Sequence, residues 1–182
     1  MKTLIEVDDL WHKEQIKELL VPLRTANPGI IVNAFAIPNK LGDVKFLKEA
    51  YPWIRFCIHG FEHTHFECAE WTFEKGVDLI GKALKMGYDP VFKAPNYYMD
   101  QETDEACNYH ELVLVHNDSY IPKVPGTVAY PGKSQPAHLR LSAHLVTYPG
   151  SSDFIQAHRG FHPKQLQPLT NFCSIQEFVH DK

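Results

Sequence analysis

The feature that most constrains the fold is a regular alternation of short apolar segments with segments of helical periodicity. Apolar segments begin at Thr3, Ile30, Trp53, Pro90 and Glu111, and helical patterns lie between them. Within these segments polar and apolar residues do not alternate, which is typical of parallel strands buried on both faces. Parallel neighbours need a crossover connection, and the helices supply it. The sequence therefore predicts one α/β domain over residues 1–182, with mostly parallel strands.

Two of the predicted helices have recognisable ends. HKEQIKELLVPLR carries apolar residues at helical spacing from Ile16 to Leu23, and Pro22 is expected in its last turn. TFEKGVDLIGKALKMGY has Thr72 as its N-cap and Gly87 as its C-terminal glycine. Both patterns favour amphipathic helices that pack against the outside of a sheet.

The last third of the sequence is less regular. Residues 119–136 are rich in Pro and Gly and predict a long loop. LRLSAHLVTYPG and DFIQAHRGF each predict one strand, and QEFVHDK predicts a terminal helical turn. No repeat or low-complexity segment marks a second domain.

Composition excludes several classes of partner. The formal net charge is -4, so neither nucleic acid nor an anionic membrane surface is an expected partner. The first residues lack the long apolar core of a signal peptide, and a cytoplasmic location is expected. The four cysteines show no CxxC spacing, which favours reduced, mostly buried thiols over a disulfide framework or a thiolate zinc site: Cys57, Cys68, Cys107 and Cys173.

Five of the predicted strands end in polar side chains. In parallel α/β folds the functional site lies at the carboxyl ends of the strands, so these groups are expected to face one region. They are Asp8 and Asp9, then His59 and His63, then Lys93, Pro95 and Asn96, then His116, Asn117 and Asp118, and finally His158.

Two imidazoles and a carboxylate are a common ligand set for zinc or another divalent first-row ion. Such an ion lowers the pKa of bound water towards ~7 and polarises a carbonyl oxygen. A second carboxylate can then act as general base. Because successive side chains of a strand diverge, one residue of the Asp8-Asp9 pair can bind metal while its neighbour faces the water or substrate.

Four segments together resemble a known family. EVDDLW, HGFEH, FKAPNYY and FIQAHRG are similar, in this order, to motifs of the polysaccharide deacetylase superfamily, which includes carbohydrate esterase family four. The resemblance runs from Asp8 to His158 and implies a trimmed, irregular (β/α) barrel. It also implies a metal-dependent hydrolase that removes an acyl group, such as acetyl, from an N-acylated sugar or related amide, with metal-bound water as the nucleophile and zinc as the expected metal.

The resemblance assigns the chemistry residue by residue. Asp8 would be the base, and Lys93 stands where the family has an arginine that orients it. His158 would be the general acid, with His144 as its rival for that role. The implied metal ligands are Asp9, His59 and His63.

The implied substrate groove is formed by residues at the same strand ends. Backbone N–H groups after Pro95 would stabilise an oxyanion. Asn96 occupies the family's aromatic position, so Tyr97 or Tyr98 is expected to replace that wall. Trp11 is placed to stack on the apolar face of a sugar.

Other interpretations of these residues remain open at this point. Asp8 and Asp9 could cap the following helix, and the two histidines could be a hydrogen-bonded polar pair. His65 is interpreted as an outer or surface residue, and Glu67 as part of a solvated face or a cap.

Two other functions also remain open. Because Lys93 and Asn96 depart from the family, a catalytically inactive metal-holding domain that binds a glycan or a protein is the second hypothesis. A phosphoesterase is the third, although the acidic ligands of a two-metal site are missing.

Overall fold

The computed structural model describes residues 3–64, 66–116, 128–129, 139–142, 145–148, 153–157 and 172–180. The strands are β1 Thr3–Leu10, β2 Val32–Ala36, β3 Ile54–His59, β4 Val91–Lys93, β5 Val113–His116, β6 Val128–Ala129, β7 Leu139–Ser142, β8 Leu145–Tyr148, β9 Asp153–Ala157 and β10 Phe172–Cys173. The α-helices are α1 Lys13–Gln15, α2 Val21–Ala26, α3 Pro38–Leu41, α4 Lys45–Ala50, α5 Phe73–Lys85, α6 Gln101–Tyr109 and α7 Ile175–His180. A π-helical turn, Ile16–Leu20, joins α1 to α2, and short 3-10 turns cover Glu67–Ala69 and Pro95–Tyr97.

The described strands form one sheet, in the order β6-β5-β4-β3-β2-β1-β9-β8-β7, with β10 also paired to β1. In this order the described strands pair in parallel from β6 through β1 to β9, and the β9–β8 and β8–β7 pairs are antiparallel. The predicted α/β class with mostly parallel strands is therefore confirmed. Strands β1 to β6 follow one another in chain order, which is how (β/α) barrels are wound. Closure of the sheet into a barrel stays a prediction.

The prediction of a single strand in LRLSAHLVTYPG is wrong. The segment contains β7 and β8, which pair with each other in antiparallel register, Leu139 opposite Thr147. Strand β8 then pairs antiparallel with β9. No Gly or Pro separates the two halves of the segment, so the sequence carries no signal of a chain reversal.

The first helical segment runs further than its proline suggested. Pro22 lies in the first turn of α2, and the helix continues to Ala26, so the expectation of Pro22 in the last turn is wrong. Proline is tolerated there because the first helical turn does not need its N–H group. The π-helical turn immediately before it, Ile16–Leu20, is a further departure from regular α-helix.

Helix α5 begins and ends as its sequence predicts. The Thr72 hydroxyl oxygen accepts a hydrogen bond from the Lys75 amide at 3.3 Å, which caps the N-terminus. Beyond the C-terminus Gly87 adopts a left-handed φ of 94°, which glycine reaches at no steric cost. The inward face of α5 buries Ile80 and Ala83 in the hydrophobic core.

The hydrophobic core explains why the strands showed no alternation. Every residue of β2 is buried, and five of the six residues of β3 are buried. The two faces of these strands are therefore both covered, as in parallel sheets with helices packed outside. The largest fully buried aromatic side chains are Phe35, Phe56 and Phe92, each from a different strand. Burying one such side chain stabilises the fold by roughly 1.5–3 kcal/mol.

The buried thiols agree with the reduced state expected for them. Cys57, Cys68 and Cys107 are free and buried. Burial raises the pKa of each of these thiols, which keeps them protonated and unreactive. The side chain of Cys173 lies outside the described residues. None of the helices in the described ranges combines the length and the apolar character needed to cross a bilayer.

Candidate metal centre

The two aspartates at the end of β1 lie in different backbone conformations. Asp8 is buried, with 2% of its surface exposed, whereas Asp9 is half-buried and has a left-handed φ of 60°. The register of β1 against β2 shifts between Val7 and Leu10, so an irregularity falls at this pair. As a result Asp8 contacts Lys93 while Asp9 contacts His63, and the two carboxylates serve different partners.

His59 is the last residue of β3 and is buried in the site. Its Nδ1 lies 2.9 Å from the backbone oxygen of Lys93, and a carbonyl can only accept, so Nδ1 carries the proton. The lone pair of the neutral ring is then on Nε2, which lies 3.6 Å from Asp9 Oδ1. An outer hydrogen bond of this kind orients metal-binding histidines in known sites.

His63 lies in the loop after β3 and completes the group. Its Nε2 is 2.9 Å from Asp9 Oδ1, and this hydrogen bond raises the pKa of the His63 imidazole above its ordinary value of 6.5. One ligand atom from each of Asp9, His59 and His63 lies within 4.8 Å of the other two. The separations of 2.9 and 3.6 Å bracket the ~3.3 Å expected between donors on a tetrahedral zinc ion. The donor set and its spacing therefore fit one divalent cation.

Lys93 is a buried cation shared by two carboxylates. Its Nζ lies 2.7 Å from Asp8 Oδ1 and 2.7 Å from Glu6 Oε2, and 4.2 Å from the centre of the Phe35 ring. Lys93 is therefore in contact with the residue predicted to be the base. Glu6 was not among the predicted site residues, although it is the one charged residue of TLIEV and shares a strand face with Asp8.

The local charge favours a bound cation. Glu6, Asp8 and Asp9 contribute three carboxylates to this edge of the sheet, and Lys93 is paired with the first two. Burial weakens solvent screening, so negative charge near Asp9 attracts a cation more strongly than it would in water. Among the described residues, this excess of carboxylates over lysine agrees with the donor geometry.

Of the two interpretations of Glu67, a solvated face and a cap, the solvated face is wrong. Its carboxylate is buried, with 5% exposed, and accepts hydrogen bonds from the backbone amides of Phe61, Glu62 and His63 at 3.1, 2.9 and 2.7 Å. Glu67 therefore holds the loop that carries His63. Its partners are backbone groups, which have no side-chain signature, so this contact was not predictable from the sequence.

Trp11 lies at the rim of the group, where it was expected to stack on a sugar. It is half-buried, its ring centre is 6.0 Å from that of His63, and the Lys40 ammonium lies 4.3 Å from its centre. One face of the indole therefore already carries a cation. The backbone around Trp11 is fixed by Gln15, whose Oε1 accepts from the Trp11 and His12 amides at 2.6 and 2.8 Å.

The residues after β4 form another part of the rim. Pro95 is buried and packs beside Gly60, while Asn96 is exposed with a left-handed φ of 54°. The side chain of Tyr97 lies outside the described residues. Tyr98 is 56% exposed and makes an edge-to-face contact with Phe66, their ring centres 4.9 Å apart.

Several predicted residues lie outside the described part of the chain: His65, Asn117, Asp118, His144 and His158, together with the side chain of His116. The residue before His158, Ala157, pairs with Val7 across β9 and β1. Val7 in turn is the residue before Asp8.

Comparison with known proteins identifies the fold. No family model matches the sequence, and no curated protein sequence matches it. Among solved structures, a family 4 carbohydrate esterase from Streptomyces lividans, in complex with acetate, matches with a TM-score of 0.53 and 16% identity over 63% of this chain and 61% of that chain. The Xyl-CE4 domain of a multidomain xylanase from the hindgut metagenome of Trinervitermes trinervoides matches with a TM-score of 0.50 and 11% identity, over 63% and 57%.

A third match is to a protein described as a pseudoenzyme. This carbohydrate esterase family 4 pseudoenzyme from Bacillus anthracis has a TM-score of 0.51 and 12% identity, over 63% of this chain and 42% of that chain. The chain thus corresponds to roughly half the length of the structures it matches. These likenesses show that the chain has the polysaccharide deacetylase fold, and they confirm at the level of fold the resemblance stated from the motifs.

Proposed function

We propose that this chain, which has the fold of family 4 carbohydrate esterases, is a metal-dependent hydrolase that removes an acyl group from an N-acylated sugar or a related amide. The observation that carries the proposal is the convergence of Asp9, His59 and His63 beside the buried Asp8–Lys93 pair. We take acetyl as the acyl group and zinc as the metal.

In this proposal Asp9, His59 and His63 hold the ion. When bound, a divalent ion supplies a Lewis acid that polarises the acyl carbonyl and acidifies water. Asp8 then takes the proton from the attacking water as general base. Lys93 holds one oxygen of the Asp8 carboxylate by an ion pair at 2.7 Å, which fixes the direction of the other oxygen.

We assign the remaining steps to the residues that the resemblance implies. Backbone N–H groups after Pro95 stabilise the oxyanion of the tetrahedral intermediate. His158 donates a proton to the leaving nitrogen, and His144 is the alternative donor. Trp11 and Asn96 at the rim contact the sugar. Polar groups of this kind orient a ligand, and apolar surfaces supply its contact area.

A second candidate function has a specific observation in its favour. The same fold occurs in a protein described as a pseudoenzyme. In this chain Lys93 stands where the resemblance places an arginine, and a lysine cannot make the planar two-pronged contact of a guanidinium. A metal-holding domain that binds a glycan or a protein without hydrolysing it would have the same donor set.

The experiment is acetate release from acetylated chito-oligosaccharides by the zinc-loaded protein. Replacing a general base lowers the rate by ~10²–10⁴-fold, and we expect this loss in Asp8→Asn. Asp78→Asn, an exposed aspartate on α5, makes the same charge change and should keep the wild-type rate. If the wild type and Asp8→Asn release equally little acetate while both bind the oligosaccharide, the second candidate replaces the first.

A further inference from the structure

We propose that Glu67 is a positioning residue of the metal centre: its buried carboxylate fixes the loop that presents His63, and Gly60 leaves the room that this carboxylate needs. The inference rests on the metal centre of the proposed function. It concerns metal binding, and it holds whether or not the chain is a hydrolase.

Three consecutive backbone amides converge on the Glu67 carboxylate. Oε1 accepts from Phe61 N at 3.1 Å and from His63 N at 2.7 Å, and Oε2 accepts from Glu62 N at 2.9 Å. Hydrogen bonds to an ionised acceptor are stronger than those between neutral groups, and burial of the carboxylate strengthens them further. The loop between β3 and the Glu67–Ala69 turn is therefore fastened to one side chain.

The backbone of this loop adopts an uncommon conformation at His63. His63 has a φ of 61°, in the left-handed region that a residue with a Cβ rarely adopts. Its own amide makes the shortest of the three bonds to Glu67. We infer that these bonds hold His63 in a conformation that places its Nε2 2.9 Å from Asp9 Oδ1.

Gly60 is the second half of the arrangement. It has a φ of 61°, and a Cβ placed on it would collide with Glu67 Oε1 and would lie 2.8 Å from Pro95 Cγ. A larger residue at this position would therefore push the carboxylate away from the amides. The Glu67 carboxylate occupies the space that a side chain at position 60 would need.

Glu67 acts through the loop and does not bind the cation itself. Both of its oxygens already accept from backbone amides, and it is not one of the three residues whose ligand atoms converge. Its effect on the centre is therefore indirect. Outer partners of this kind typically change metal affinity by ~10–100-fold when they are replaced.

The test measures zinc affinity by isothermal titration of the full chain. Glu67→Gln keeps the size of the side chain but loses one acceptor and the charge, and we expect zinc to bind ~10–100-fold more weakly. Glu70→Gln is the matched control, since Glu70 is an exposed carboxylate three residues away and carries the same charge change. It should bind zinc within about twofold of the wild type.

A second pair of variants tests the contact between Glu67 and the loop by changing the loop. Gly60→Ala introduces the colliding Cβ, and we expect a loss of zinc affinity similar to that of Glu67→Gln. Gly42→Ala is its control, because Gly42 also has a positive φ, 82°, but has nothing within 4 Å of the added Cβ. Both variants therefore introduce backbone strain, and only Gly60→Ala also introduces the steric collision. The absorption spectrum of bound cobalt should change in Gly60→Ala and not in Gly42→Ala.

The possible results separate this inference from the proposed function. If the wild type binds zinc and both Glu67→Gln and Gly60→Ala bind it equally well, the positioning role is overturned while the metal centre stands. A wild type that binds no zinc overturns the metal centre itself, and the inference falls with it. Should Glu67→Gln fail to fold by circular dichroism, the comparison of the two glycine variants decides alone.

Discussion

At the scale of single residues, the stability of the site depends most on Lys93. Its ammonium is buried between Glu6 and Asp8, so removing it leaves two buried carboxylates without their shared cation. We expect Lys93→Met to lower the free energy of unfolding by about 3–5 kcal/mol, measured by urea denaturation of the metal-free protein.

The control for that variant is an exposed lysine in an ion pair. Lys82 pairs with Asp78 at 2.6 Å on the surface of α5, where both side chains are more than half exposed. Lys82→Met should change the free energy of unfolding by less than about 1 kcal/mol. Adding Glu6→Gln to Lys93→Met should recover part of the loss, because one of the two negative charges that Lys93 neutralised is removed. Equal losses at Lys93 and Lys82 would show that the buried cation contributes no more than a surface pair.

The ionisation of His63 predicts how metal binding depends on pH. The hydrogen bond with Asp9 raises the pKa of His63 in the metal-free protein, and His63 must lose that proton to bind zinc. Zinc affinity should therefore fall by up to about tenfold for each pH unit below this raised pKa. Titrations from about pH 8 to about pH 6 test this, with His12→Ala, an exposed histidine, as control.

Metal-free stability should show the opposite trend. Since the folded pKa of His63 is raised, its contribution is fully present below the ordinary value of 6.5 and is lost as pH rises through the raised value. Zinc affinity that is flat over the same range would contradict the assignment of His63 as a ligand.

The site residues that could be predicted from the sequence were those whose side chains are themselves the reactive or metal-binding groups. Asp9, His59 and His63 could be selected because carboxylate and imidazole groups at strand ends are typical metal ligands. Glu67 could not, because its partners are backbone amides that any residue possesses. Glu6 was missed for a different reason. Its role depends on the contact with Lys93, which is 87 positions away in the sequence and close to it only in the folded protein.

At the scale of elements, helix α5 offers a direct test of its N-cap. The Thr72 hydroxyl accepts from the Lys75 amide, one of the first amides of the helix that have no partner within it. Thr72→Ala should therefore lower the free energy of unfolding by about 1 kcal/mol in urea denaturation. Thr25→Ala makes the same substitution inside α2, where the hydroxyl bonds to the Val21 carbonyl, and should be within about 0.5 kcal/mol of the wild type. The capping account fails if the two variants lose the same stability.

The ends of an element were predictable where neighbouring residues in the sequence determine them. They were not predictable where pairing with distant strands determines them. Thr72 and Gly87 mark the ends of α5 within a few residues of sequence, because capping groups act on adjacent backbone. The division of 139–148 into β7 and β8 depends on which strands pair with each half. Residue types along a segment without Gly or Pro do not encode that pairing, so one strand was expected where two are found.

At the scale of the whole molecule, the order of strands β1 to β6 brings the ends of separate strands to one edge. The alternation of apolar and helical segments predicted this parallel arrangement, because a parallel sheet requires a crossover helix after each strand. The pairing of β9 with β1 was not predictable from that alternation, since it joins segments about 150 residues apart. That pairing is what brings the segment before His158 next to the segment before Asp8.

The burial of thiols tests the packing of the molecule as a whole. Cys57, Cys68 and Cys107 lie in the core, and burial raises the pKa of all three. In the native protein, at most one of the four cysteines should therefore react rapidly with an aromatic disulfide reagent. All four should react after denaturation. Rapid reaction of two or more thiols before unfolding would mean that the core is looser than the structure shows.

The most direct test of the account is the zinc content of the protein after loading and removal of excess metal, measured by mass spectrometry of the element. The account predicts about one zinc per wild-type chain, and nearly none in Asp9→Asn, His59→Ala or His63→Ala. His12→Ala, which replaces an exposed histidine, should keep the wild-type content. A wild type without zinc, or ligand variants that retain as much zinc as the wild type, would contradict the claim that these three side chains hold one cation.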